Sequence, residues 1–181
     1  MKYIKNFFKH LKTVIVHKWY VMIYCFKAGL IWQGIFHDTS KFSITEFWSS
    51  VKYFLGNRSP INAERAAKGR SDIWMHHKGR NKHHPEYWID KNLITEEYEC
   101  VEMPFKYVVE SICDRIAACR VYNKKNFKPQ MVLDYFLKEE NTLPVHPNTK
   151  IEYTLLLTFY VEYGEKELFK YIRKELKRRK G

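Results

Sequence analysis

Glycine and proline are scarce in this chain, with seven and six in 181 residues. Strand-and-turn folds need such residues at frequent intervals, so their scarcity argues against an all-β architecture and favours long helices. Cysteine is also rare, and the four cysteines show no C-x-x-C spacing. A disulfide framework is therefore not expected, and the thiols are those of a protein in a reducing compartment.

Long apolar runs are missing as well. Between Lys18 and Lys27 only eight uncharged residues follow one another, whereas a membrane-spanning helix needs about 20. The N-terminal segment has the positive charge of a signal peptide, but lysines interrupt its apolar part and no small-residue cleavage site follows. We therefore expect a cytoplasmic protein without a membrane span.

The remaining composition is that of a folded, basic protein. Hydrophobic residues make up 45% of the chain, which is enough for one substantial core, and the length predicts a single domain over residues 1–181. The net charge of +12 suits an anionic partner such as a nucleotide, nucleic acid or membrane surface. Much of the excess lies in KKNFK and RKELKRRK, where basic, solvated helix ends are the simpler explanation.

Apolar residues recur every three or four positions along much of the chain, as on one face of a helix. The first such helix covers about residues 4–28 and stops at Gly29, and the S-x-x-E sequence at 43–46 is a capping box that opens another. A single helix is predicted from Asn62, as its cap, to about residue 77. Further helices follow, including two or three at 129–179 that pack on the rest. The sequence predicts an all-α bundle of about seven to nine helices.

Polar residues interrupt two of these apolar faces. His17 lies on the apolar face of the first helix, and Asp114 lies in the middle of a helix whose core stripe includes Ile112 and Ile116. A lone buried histidine is more often a hydrogen-bonded core residue than a ligand. Arg115 offers Asp114 a local ion pair. Neither residue indicates a functional site by itself.

A dense histidine cluster is less easily explained by packing. His76, His77, His83 and His84 fall within nine residues, and imidazole is the commonest metal ligand in proteins. Helical phase favours His77 over His76 as the inward-facing residue, because Ile73 lies four residues before His77. The sequence does not decide between His83 and His84.

The candidate ligands in chain order are His17, His37 with Asp38, His77 or His76, His83 with His84, and Asp114. This order resembles the HD superfamily of metal-dependent phosphohydrolases, whose signature H…HD…D extends to H…HD…H…HH…D in members with larger metal clusters. The sequence HDTSK is similar to the HD-x-G-K of that family, with Ser40 in place of the glycine. The resemblance covers about residues 10–120 and implies an HD-domain-like helical bundle.

The resemblance also implies a reaction. Two or more divalent ions, of Mn, Fe, Co, Mg or Ni, would be held by these imidazoles and carboxylates, with Asp38 as the bridging, catalytic carboxylate. A metal-activated water would then attack the phosphorus of a small phosphate ester such as a nucleotide. The implied activity is that of a phosphomonoesterase or phosphodiesterase.

Charged residues beside the ligands complete the predicted site. Lys41, Arg80 and Lys82 are candidates to bind the substrate phosphate, and Lys41 is also a candidate catalytic residue. Glu86 is a candidate to orient a ligand histidine or to accept a proton. All four are also compatible with solvated loops and a helix start.

Two other functions fit the same residues. One is oxidative, because some HD-fold proteins hold a di-iron pair that activates oxygen, and a histidine-rich set suits iron. The other is a non-catalytic basic helical module, in which the cations hold the helices together and the positive charge binds nucleic acid or anionic lipid.

Overall fold

The computed structural model describes residues 2–179; Met1, Lys180 and Gly181, which end the predicted domain and its basic tail, lie outside them. A short antiparallel hairpin of β1 (Ile89–Lys91) and β2 (Tyr98–Cys100) interrupts a helical chain. The predicted all-α class and the number of helices are confirmed in this range. The helices are α1 (Lys2–Ala28), α2 (Ile31–Phe36), α3 (Ile44–Tyr53), α4 (Pro60–Lys68), α5 (Asp72–Lys78), α6 (Phe105–Asn123), α7 (Gln130–Glu139) and α8 (Pro147–Arg178).

Helix α6 runs through the hydrophobic core. Of the stripe that the sequence predicts, Val108, Ile112 and Ile116 are fully buried and Cys119 is partly buried, and residues of α1, α7 and α8 pack around them. Burying side chains of this size stabilises the fold by about 1.5–3 kcal/mol each. The stripe fixes the rotation of α6, so the residues on its other faces are also held in place.

Helix α2 lies closely against the C-terminal half of α1. Helix α1 ends at Ala28, and Gly29 follows with φ +83°, as the sequence predicted. In α2, a Cβ at Gly34 would lie 2.9 Å from the Cβ of Cys25 and 3.3 Å from the Cα of Met22. Only glycine permits this approach, which sets the position of the His37-Asp38 pair directly after α2.

The prediction of one helix from residue 62 to residue 77 is wrong. Gly69 has φ +77° and ends α4, and α5 begins three residues later. The predicted cap is also wrong, because the Ser59 side chain, not that of Asn62, accepts a hydrogen bond at the start of α4. Ser71 caps α5 by accepting from the Trp74 amide. Serine is as good a cap as asparagine, and glycine in the left-handed region ends a helix readily.

Two other features of the chain follow the same local rules. The prediction of two or three helices in residues 129–179 is confirmed, because α7 is followed by α8, and α8 is broken at Gly164, whose φ is +77°. Pro104 is the cap residue directly before α6. Within the described residues, no helix combines the length and the apolar character that crossing a bilayer requires.

Glu64 ties α4 to α5 across the break at Gly69. Its buried carboxylate accepts hydrogen bonds from the Lys68 ammonium at 2.8 Å, the Ser71 hydroxyl at 2.7 Å and the Ile73 amide at 3.1 Å. Burial opposes its ionisation, but these three donors outweigh burial and lower the pKa of Glu64. The carboxylate is therefore charged at neutral pH and holds α5 in position.

We predict that Glu64→Gln lowers the free energy of unfolding by about 1–2 kcal/mol at pH 7, because hydrogen bonds to a charged acceptor are lost. The lowered pKa means that the ionised carboxylate stabilises the fold above the unfolded-state pKa of about 4.3 and stops doing so as pH falls through the folded-state value. The difference between wild type and variant in chemical denaturation should shrink below about pH 4. An equal difference at low and neutral pH would contradict this role.

Candidate metal centre

Five segments bring the candidate ligands together. Helix α1 supplies His17, the turn after α2 supplies His37 and Asp38, and α5 supplies His77. The loop after α5 and the middle of α6 supply the remaining ligands, which are His83, His84 and Asp114.

Asp38 has φ +50°, in the left-handed region that disfavours residues with a side chain. Such strain costs on the order of 1 kcal/mol, and it is typical of functional sites. The turn after α2 thus directs this carboxylate into the protein at an energetic cost.

The first donor group consists of His17, His37, Asp38 and Asp114, whose ligand atoms lie within 4.8 Å of one another. The Nε2 atom of His17 is 2.9 Å from Oδ1 of Asp114. The Nε2 atom of His37 is 3.2 Å from Oδ2 of Asp38 and 3.4 Å from Oδ1 of Asp114. Two imidazoles and two carboxylates suit a divalent transition metal or Mg²⁺.

The second donor group consists of Asp38, His77, His83 and His84, within the same 4.8 Å limit. Oδ1 of Asp38 lies 3.3 Å from Nε2 of His77 and 3.5 Å from Nε2 of His83. Asp38 belongs to both groups and turns one carboxylate oxygen toward each. His76 is in neither group, so His77 is the candidate ligand of the pair His76-His77. Of the pair His83-His84, both histidines are candidate ligands.

Several of these ligand atoms have no hydrogen-bond partner in the part of the chain that the structure describes. They are Nε2 of His83 and His84 and Oδ1 of Asp38. Nε2 of His17, Nε2 of His37 and Oδ2 of Asp38 make no hydrogen bond of normal geometry either, but a carboxylate or the Lys41 ammonium lies beside each of them. Leaving such buried groups without partners costs about 1–3 kcal/mol each. The unsatisfied atoms converge on the two donor groups, so metal ions there would complete their interactions.

Two buried glutamates contact the Nδ1 atoms of the ligand histidines, on the side of each ring away from the donor groups. Oε1 of Glu110 lies 3.0 Å from Nδ1 of His37 and 3.3 Å from Nδ1 of His83. Oε2 of Glu46 lies 2.9 Å from Nδ1 of His77, and its other oxygen contacts His76. If each Nδ1–H donates to its carboxylate, the Nε2 lone pairs face the metal positions. His37, His83 and Glu110 also form a donor group, but these contacts fit an orienting role for Glu110.

Neither glutamate was predicted from the sequence to contact the ligand histidines. Glu46 fitted the capping box, and Ser43 does accept from its amide at 3.3 Å, but the Glu46 side chain turns to the histidines instead. Glu110 lies four residues before Asp114, so helical phase places both on one face of α6. That spacing was the available signal for Glu110.

The two central carboxylates are ionised. Burial opposes ionisation of Asp38, but the charges of His37 and Lys41 outweigh it and hold its pKa well below the usual range. Burial likewise opposes ionisation of Asp114, and the imidazoles of His17 and His37 overcome it and keep its pKa low. Both carboxylates therefore carry the negative charge that metal ligation requires.

The histidines differ in their tendency to hold a proton. Burial and the neighbouring His83 keep the pKa of His84 well below its usual value, so that ring is neutral. Burial also disfavours the charged form of His37, but Asp38 and the other carboxylates outweigh it and raise the pKa of His37 well above normal. Metal binding must therefore displace a proton from His37.

A cavity of about 440 Å³ adjoins this centre. Ligands from both donor groups line it, including His17, His77, His84 and Asp114. Lys41 also lines the cavity, and its ammonium is paired with Oδ2 of Asp38. A molecule in the cavity would therefore lie beside the ligands and a cation.

The other predicted residues are placed differently. Glu86 lines the cavity, and burial raises its pKa. Arg80 and Lys82 do not line it, since Arg80 donates to the His76 carbonyl at 2.9 Å and Lys82 lies beside aromatic rings. Arg115 lines the cavity and pairs with Glu139 of α7, so the local ion pair with Asp114 suggested by sequence is wrong.

We predict that Glu110→Gln weakens metal binding by about 10–100-fold, because two ligand histidines lose the negative charge that orients them. Isothermal titration of the metal-stripped protein with Mn²⁺ measures the effect. Glu97→Gln, at an exposed position beside the hairpin, serves as the control and should bind like the wild type. Unchanged affinity in the Glu110 variant would show that Glu110 does not orient the ligands.

Comparison with known proteins leaves the activity open. No curated protein and no solved structure matches the chain. One family model matches, and it spans residues 6–155, a range that includes all of the ligand residues above. On this evidence the chain belongs to the family described as "Family of unknown function (DUF5662)".

Proposed function

We propose that the protein is an HD-type metal-dependent phosphohydrolase that cleaves a small phosphate ester, such as a nucleotide. The observation that carries the proposal is that Asp38 belongs to two four-residue donor groups. Two-metal phosphatases and nucleases need such a bridging arrangement, with ions about 3.5–4 Å apart. The ligand order of the chain, H…HD…H…HH…D, supports the same assignment.

Bound divalent cations would supply a nucleophile from water near neutral pH and neutralise charge on the phosphoryl oxygens. The protein contributes the preorganised ligands. Glu110 and Glu46 fix the ring orientation of His37, His83 and His77, and the buried Asp38 keeps its negative charge. Because these ligands are already oriented, none has to reorganise when substrate enters. Such preorganisation is the usual source of electrostatic stabilisation in enzymes.

The cavity supports a substrate of small-molecule size. Its volume of about 440 Å³ falls in the range of about 300–1,000 Å³ for such sites. Trp74 forms part of its wall and stacks with Arg65, an arrangement that suits a planar group such as a base. This placement supports a nucleotide as substrate, with its phosphate at the metal centre.

Lys41 and Glu86 are the residues best placed to act on the substrate without holding metal. The Lys41 ammonium lies beside Asp38, so it can contact a phosphate oxygen that enters the centre. Glu86 faces the same cavity, and burial raises its pKa, so it holds a proton more readily than an exposed glutamate and is a candidate for proton transfer. Arg80 and Lys82 lie outside this cavity and have less support as phosphate ligands.

We predict that Asp38→Asn lowers metal content and reduces hydrolysis by at least ~100-fold, because a bridging ligand is lost from both groups. His77→Ala should show a similar defect. His76→Ala is the matched control, and it should retain metal and keep activity within about tenfold of the wild type. Elemental analysis and phosphate release from nucleotide monoesters and a phosphodiester, with each of Mn, Fe, Co, Mg and Ni, measure these effects.

The same assay, run beside a measurement of oxygen consumption, separates the oxidative function from the hydrolase. Oxygen consumption by iron-loaded protein, without phosphate release, would replace the hydrolase with a di-iron oxygenase. Wild-type protein that binds no divalent metal and hydrolyses none of these esters would end the proposal.

We predict that Lys41→Gln retains its metal but raises KM for the phosphate ester by about tenfold or more, since a charge-assisted hydrogen bond to the substrate is worth roughly 1.5–3 kcal/mol. Arg80→Gln removes a nearby charge outside the cavity and should leave KM unchanged. Steady-state kinetics of both metal-loaded variants measure the difference. Equal effects of the two substitutions would show that Lys41 acts only through the general electrostatic field.

A further inference from the structure

The solvent-facing side of α1 is apolar, although surface helices normally turn a polar side to water. One side of α1 faces the core and the metal centre through His17 and Val21. The opposite side carries an apolar stripe with helical spacing. Its members, Ile4, Phe8, Ile15, Trp19 and Phe26, are between 40% and 65% exposed.

Neighbouring helices extend this stripe. In α2, the rings of Trp32 and Phe36 stack 6.1 Å apart, and the two side chains are 69% and 62% exposed. At the other end of α1, the Phe7 ring contacts the rings of Phe8 and Trp48, and Trp48 of α3 is 55% exposed. We call the α1 stripe with Trp32, Phe36 and Trp48 the aromatic face. Contiguous exposed apolar patches of this kind mark interaction sites.

The exposed charge that residues 2–48 place beside the aromatic face is positive, and the Glu165 carboxylate of α8 pairs with Lys27 at the C-terminal end of that face. Lys5, Lys9 and Lys12 are exposed on the adjoining side of α1. The only carboxylates between residues 2 and 48 are those of Asp38 and Glu46. Both are buried at the metal centre, so no exposed carboxylate in this segment offsets the lysines.

We propose that the aromatic face binds the surface of an anionic lipid bilayer. Exposed tryptophan and phenylalanine can enter the boundary between headgroups and acyl chains, while lysines contact lipid phosphates. Three of the five tryptophans of the chain, Trp19, Trp32 and Trp48, are on this face. A second copy of the chain suits the face less well, because it would present the same lysines, while the nearby Glu165 carboxylate is already paired with Lys27 and Arg120.

Membrane binding through this face is compatible with an open metal centre. The cavity is lined by His10, Val14 and His17, on the inward side of α1. The apolar stripe is on the outward side of the same helix. Binding should therefore leave metal content unchanged, and the inference does not depend on the reaction that the centre performs.

The test uses the full-length, metal-loaded protein and phosphatidylcholine vesicles prepared with or without phosphatidylglycerol. The protein should sediment with the anionic vesicles at low salt, remain largely free with neutral vesicles, and show a blue shift of tryptophan fluorescence on binding. The double variant Trp19→Ser with Trp32→Ser should bind at least about tenfold more weakly, since burial of apolar side chains drives interfacial binding. Its matched control is Leu93→Ser with Ile94→Ser, which removes side chains that are 85% and 93% exposed elsewhere and should bind normally.

Charge reversal provides a second pair of variants that leaves the aromatic side chains intact. Lys9→Glu with Lys12→Glu should weaken binding to anionic vesicles by at least about tenfold, because lysines near such a surface are attracted to its anionic headgroups and glutamates are repelled. Lys166→Glu with Lys174→Glu makes the same change in net charge at exposed positions of α8, and its loss should be clearly smaller. Equal losses would show that only the net charge matters and would overturn the assignment to this face.

Two further outcomes would also overturn the proposal. One is the absence of binding to anionic vesicles at low salt by well-folded wild-type protein. The other is concentration-dependent self-association that the tryptophan substitutions abolish, without vesicle binding, which would assign the face to a second copy of the chain. Circular dichroism and metal content confirm that each variant is folded.

Discussion

The negative charge of Asp38 is buried inside a cage of imidazoles, and the organisation of the centre depends on how that charge is compensated. Asp38 is only 3% exposed, and its backbone lies in the left-handed region. An uncompensated buried carboxylate would cost several kcal/mol. Lys41 and His37, whose pKa is raised by the neighbouring carboxylates, provide positive charge beside Oδ2, and two bound cations would provide it on both sides of the carboxylate.

Helices α1 and α6 each contribute residues to both the hydrophobic core and the metal centre. On α6, Ile112 and Ile116 face the core, whereas Glu110 and Asp114 face the ligands. On α1, the inward side reaches both the core and the centre. Because a close-packed core transmits small displacements, the ligand geometry is as rigid as the packing beneath it. The outward side of α1 takes no part in this packing and remains free to bind a partner.

The parts of the structure that depend on local chemistry and helical spacing were predictable from the sequence. Scarce glycine and periodic apolar residues predicted the helical class, and the ligand order brought His17 and Asp114 into one hypothesis. The orienting role of Glu46 was hidden because the same residue also fits a capping box. The break at Gly69 was missed because a single glycine is tolerated within many helices. The aromatic face was missed because α1 is apolar on both sides, and only tertiary packing distinguishes them.

Anomalous scattering from crystals of the protein saturated with Mn²⁺ would show whether Asp38 joins two metal ions. Two peaks are expected, one beside His17 and Asp114 and the other beside His77 and His84, with the Asp38 carboxylate in contact with both. A single peak that Asp38 does not touch, or no peak within either donor group, would contradict this expectation.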